Sequence, residues 1–105
     1  RHYDAGDPPG MAVADLKKWA AEEGRDVYKR YSALDALFQL GEQEQVKALG
    51  LAIFDAAAAE KKWGLADSIA HLLAHLVQKV GGDQQFVMGV RERLERAHSH
   101  TGGHH

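Results

Sequence analysis

The sequence predicts an all-α fold, an antiparallel bundle of about five helices arranged as stacked helical hairpins. Apolar residues recur at steps of three and four, and alternation at period two is absent. Break signals at Gly24, Gly41, Trp63-Gly64 and Gly81-Gly82-Asp83 cut the chain into helix-length pieces. The links left between them are about one to three residues, which makes consecutive helices antiparallel neighbours.

The first helix starts at Asp7-Pro8, a capping side chain followed by proline at the first helical position. Val13, Leu16, Trp19 and Ala20 form its apolar stripe, and Gly24 ends it. A second helix is predicted over 25–40. Val27, Tyr31, Leu34 and Phe38 step along one face, Tyr28 and Leu37 widen it, and Gly41 stops it. The third helix is predicted over 42–62, with Val46, Leu49, Ile53 and Ala56 or Ala57 as its stripe. Leu51 and Phe54 lie off that stripe, so this helix is apolar over much of its circumference and belongs in the middle of the bundle. The fourth helix, over 65–80, turns Ile69, Leu72, Leu73, Leu76 and Val80 to the core. Asp67, Ser68, His71, His75, Gln78 and Lys79 take the other side. The fifth is predicted over 84–97, capped by Asp83, with Phe86, Val87, Val90, Leu94 and Ala97 on one face. Arg91, Glu92, Arg93, Glu95 and Arg96 form its solvated side, where Glu92 and Arg96 are a favourable i,i+4 pair.

With 105 residues, 45% hydrophobic and 27% charged, the chain has the balance of one globular domain. The 13 basic and 15 acidic residues nearly cancel, so no strong field recruits nucleic acid. The absence of cysteine excludes disulfides, thiolate metal sites and cysteine nucleophiles, and it fits a cytoplasmic location. No run reaches the roughly 18 apolar residues of a membrane span. Met11 is a candidate native start, which makes 1–10 a flexible upstream segment and 11–98 the domain. The histidine-rich end, 99–105, reads as the remnant of an affinity tag, so His104 and His105 are set aside and His98 and His100 carry little weight.

Two stretches share a pattern of helix, break, and a small or branched residue early in the next helix. They are Leu34 to Val46 around Gly41, and Ile53 to Ala66 around Trp63-Gly64. The pattern resembles the helix-turn-helix of tetratricopeptide-like repeats. Trp63-x-x-Ala66 after an alanine-rich helix is also similar to the hairpin of microtubule-interacting-and-trafficking domains. The resemblance covers residues 31–80. It departs from the 34-residue tetratricopeptide period, because the two breaks stand too close together. It implies protein–protein recognition in a groove between helices.

The sharpest chemical feature is Asp67-x-x-x-His71-x-x-x-His75, which places a carboxylate and two imidazoles on one helical face. Such a set can ligate a transition metal, although no further ligand from another helix can be named and no cofactor is expected. Catalysis has no support: no Gly-x-Ser-x-Gly turn and no phosphate loop occurs. A nucleic-acid reading rests on Lys17, Lys18, Arg25, Lys29 and Arg30 with Trp19, Tyr28 and Tyr31 interleaved. It is diluted by Asp15, Glu22, Glu23 and Asp26. The reading favoured is a non-catalytic module for protein–protein interaction or homo-oligomerisation. Trp63, Phe54, Leu51, Met88 and Trp19 are its candidate contact residues: the two tryptophans lie near helix ends, the other three lie off the core stripes, and apolar surface left outside a core marks an interface.

Overall fold

In the computed structural model, residues 11–101 are described, and five α-helices occupy them with no strand among these residues. They are α1 (Val13–Ala21), α2 (Val27–Gln39), α3 (Gln43–Ala59), α4 (Trp63–Val80) and α5 (Gln84–Thr101). The Asp7-Pro8 start and the histidines at 104 and 105 lie outside the described residues. No described helix is long and apolar enough to cross a membrane.

Each helix packs on the next, and α1 on α3, α2 on α4 and α3 on α5 also meet. Among the described residues α1 reaches neither α4 nor α5, and α2 does not reach α5. The hairpins therefore stack in two layers, α1–α3–α5 and α2–α4. Helix α3 alone touches all four others, as its all-round apolar sequence requires. Gly50 lets it approach α4 closely: a Cβ there would collide with the Cδ2 of Leu73. The interior is filled chiefly by Leu16, Leu34, Leu37, Ile53, Ile69, Leu73 and Leu76, all fully buried. Val80 and Tyr28 depart from the predicted core, being about half exposed at the end of α4 and the start of α2. A side chain in a terminal turn has a neighbour on one side only.

The turns α2–α3 and α3–α4 have one geometry. After α2, the N–H of Glu42 donates to the carbonyl of Leu37 (2.9 Å) and that of Gly41 to Phe38 (3.1 Å). After α3, Lys62 donates to Ala57 (3.0 Å) and Lys61 to Ala58 (2.9 Å). Both patterns tie up carbonyls at a helix end and need a left-handed residue after the cap. Gly41 supplies it at φ +81, and Lys61 takes the same role at φ +60. The predicted break at Trp63-Gly64 is thus displaced: the chain turns at 60–62, and Trp63 opens α4. The other two turns rest on side chains. Asp26 accepts the N–H of Lys29 (3.3 Å) and Asp83 that of Phe86 (2.8 Å). The end of α1 is closed by Arg30, a buried cation whose Nε donates to the carbonyl of Ala20 at 3.0 Å, where the helix dipole favours positive charge.

The shared turn geometry predicts opposite outcomes for two substitutions. Lys61→Gly removes left-handed strain and should raise stability by up to about 1 kcal/mol, whereas Gly41→Ala introduces it and should lower stability by about 1 kcal/mol. Urea midpoints at constant m-value measure both. Removing Arg30 by substitution with Met leaves the Ala20 carbonyl without its partner and should cost about 1–3 kcal/mol by the same measurement.

Candidate interaction site

Helices α3 and α5 meet along a seam unlike the others. Near the α5 N-terminus the contact is apolar: Leu51 Cδ1 lies 3.4 Å from the Cβ position of Gly89, an ordinary van der Waals distance. One turn further on, the contact becomes ionic. Arg93 grips Asp55 with two bonds, Nε to Oδ1 at 3.0 Å and Nη2 to Oδ2 at 2.9 Å, while its Nη1 donates to the carbonyl of Gly89 (3.1 Å). Arg96 adds a longer bond to Asp55 (3.4 Å) and lies 3.6 Å from Glu92. Its guanidinium stands 5.3 Å over the ring of Phe54. Two cations thus meet two anions, and the seam is close to neutral.

The arginines border an open cleft of about 500 Å³, lined by Asp55, Ala58, Ala59, Trp63, Glu92, Arg93 and Arg96. The cleft exists because the α3 wall is alanine there, too short to reach α5. Trp63 closes its end, half-buried, with the imidazole of His100 stacked on the indole at 3.8 Å between centroids and 8° between planes.

Four of the five candidate contact residues gather along this seam, and one of those four leaves the list. Leu51 lies against Gly89, Met88 stands beside it 57% exposed, and Trp63 closes the cleft. Phe54 is fully buried and belongs to the core, because α3 is covered by helices on every side but one. Trp19 lies away from the seam on α1, half-buried beneath the guanidinium of Arg25 at 4.2 Å.

The proposed metal set does not assemble. His71 Nδ1 is 2.8 Å from the Asp67 carbonyl and 3.5 Å from its carboxylate, while His75 stands exposed one turn on. Among the described residues no group of three or more histidine, aspartate or glutamate side chains is placed to hold a metal ion. The basic-aromatic stretch is also dispersed. Arg30 is buried, Arg25 is engaged by Glu22 and Trp19, and Lys17 pairs with Glu42 at 3.2 Å. Tyr31 is partly buried, and burial followed by the charge of Asp35 raises its phenol above the ordinary value of 10.0.

The residues that pattern reading missed are Asp55, Arg93 and Gly89. Asp55 was legible as the one acid in the apolar run Ala52 to Ala59, and Gly89 as a glycine inside a helix. Their pairing spans 38 positions and leaves no periodic trace. The expected tail from 99 onward begins too early: α5 continues through Thr101 and the His100 ring packs on Trp63, so this turn belongs to the helix and to the fold. No protein-family model, no curated protein and no solved structure matches this chain.

Two outcomes follow. Asp55→Ala leaves Arg93 and Arg96 without their shared partner, but the site is half exposed. The loss of stability should therefore be about 1 kcal/mol or less, and it should shrink in 1 M salt. The folded state keeps the Tyr31 proton to higher pH than the unfolded chain does. Stability should therefore fall as pH rises from about 10 through the raised value, and Tyr31→Phe should flatten that part of the pH–stability curve.

Proposed function

We propose that the chain is a non-catalytic protein-interaction module and that the α3–α5 seam is its binding face. The observation that carries this reading is the unfilled cleft beside Trp63. A half-buried tryptophan, two alanines and a neutralised pair of arginines line an open space, and the exposed Met88 stands on α5 one turn before Glu92 of that lining. Tryptophan and arginine are the residue types that concentrate binding energy, and methionine adapts to irregular partners. The charges of the cleft are paired with one another, although among the described residues Arg96 Nε has no hydrogen-bond partner, and such pairing suits packing against a protein surface better than bond-making chemistry. The partner is a second copy of the chain or another protein.

A paired variant tests this. Ala59→Arg fills the cleft from an exposed position at the end of α3, where a cation suits the helix dipole, and Met88→Asp charges the edge. Circular dichroism should be unchanged. Proteins retained by the immobilised chain, or its own self-association by sedimentation, should be lost in the double variant. Retention and sedimentation identical to those of the parent would contradict the reading.

A further inference from the structure

The last turn of α5 is joined to the rest of the molecule in an unusual way. Its polar side chains bond inward to their own helix. Ser99 Oγ donates to the carbonyl of Arg96 (2.9 Å), His100 Nδ1 lies 2.9 Å from that same oxygen, and Thr101 Oγ1 donates to the carbonyl of Ala97 (3.0 Å). None of these bonds crosses to another helix. Ala97 is the last fully buried residue, and His98, Ser99 and His100 are exposed. Among the described residues, the ring contact from this turn to a neighbouring helix is His100 on Trp63.

An aromatic stack of this kind contributes roughly 0.5–1.5 kcal/mol, and terminal turns open at little cost. The turn is therefore seated on α4 by an interaction weak enough for a partner to exchange. What it covers matters, because Trp63 also lines the α3–α5 cleft. The near-parallel geometry shows what the indole face accepts: a flat ring lying on it. The nearby charges do not ask for a charged ligand, since Arg93 and Arg96 already share Asp55.

We infer that the last turn of α5 is a strap over Trp63, closed in the free protein. A protein partner entering the seam displaces His100 and lays a flat side chain of its own, aromatic or imidazole, on the indole. This rests on the seam being the binding face. The contact with His100 is then the intramolecular stand-in for the contact with the partner.

The test reads the strap with no partner present. In a Trp19→Phe background Trp63 is the only tryptophan. His100→Ala should shift its emission to the red and raise its acrylamide quenching constant, with helicity unchanged by circular dichroism. His98→Ala, which removes an exposed histidine with no ring partner, should do neither. Emission and quenching unmoved by His100→Ala, or moved equally by His98→Ala, would overturn the strap and leave the binding face standing. Conversely, retention insensitive to Ala59→Arg with Met88→Asp would remove the binding face while the spectroscopic result stood. A protein retained by the parent chain should be held more tightly by His100→Ala, and equal or weaker retention would contradict displacement.

Discussion

The packing of Leu73 against the bare backbone of Gly50 sets how near α3 lies to α4, and the other helices take their places from that pair. Glycine inside a helix costs about 1 kcal/mol in propensity relative to alanine. Here it admits a fully buried leucine at the level of the backbone. With α3 drawn in, Ile53, Phe54 and Ala57 all lie in the core, and α3 presents surface to α1, α2 and α5 as well. A helix contacted on so many sides can carry little polarity, which is why Asp55 stands alone among apolar neighbours and why its position is informative.

Between α3 and α5 the approach is looser, and Leu51 stands at ordinary van der Waals distance from the Cβ position of Gly89. Past that point the seam is completed by charges. A bidentate arginine fixes orientation while filling little volume, so the helices are held in register and the space between Ala58, Ala59 and Trp63 stays open. An apolar seam would have closed it. The candidate site is therefore a consequence of how α5 meets α3, sparsely and through an ionic clamp, while its buried face (Phe86, Val90 and Ala97) packs mainly on α4. In the stacked arrangement α5 is also the last helix, and among the described residues its neighbours are α3 and α4.

The helices were legible where local chemistry and periodicity agreed. Gly41 and Asp83 act as their residue types predict, and the all-round apolar third helix is central. The turn after α3 was misplaced because a lysine fills a left-handed position normally signalled by glycine. Phe54 was misjudged because a single stripe underestimates how much of a central helix is covered. Leu51 and Met88 could be picked out as off-stripe apolar residues, and Trp63 as a tryptophan near a helix end. The ionic clamp and the ring stack join residues from distant helices, and that information exists only once the chain is folded. His71 and His75 show the converse limit, since spacing by four places side chains on one face without giving them a common ligand.

The most direct test of the account is a double-mutant cycle on Gly50 and Leu73, read by urea denaturation. Taken singly, Gly50→Ala should cost about 1–3 kcal/mol through overpacking, and Leu73→Ala about 2–5 kcal/mol through the cavity it leaves. If the close approach controls the α3–α4 distance, the alanine at 50 occupies space that the truncated Leu73 vacates. The double variant should then be more stable than the sum of the single losses by roughly 1 kcal/mol or more. Strict additivity would mean that Gly50 and Leu73 do not constrain each other, and would contradict the central place given to that contact.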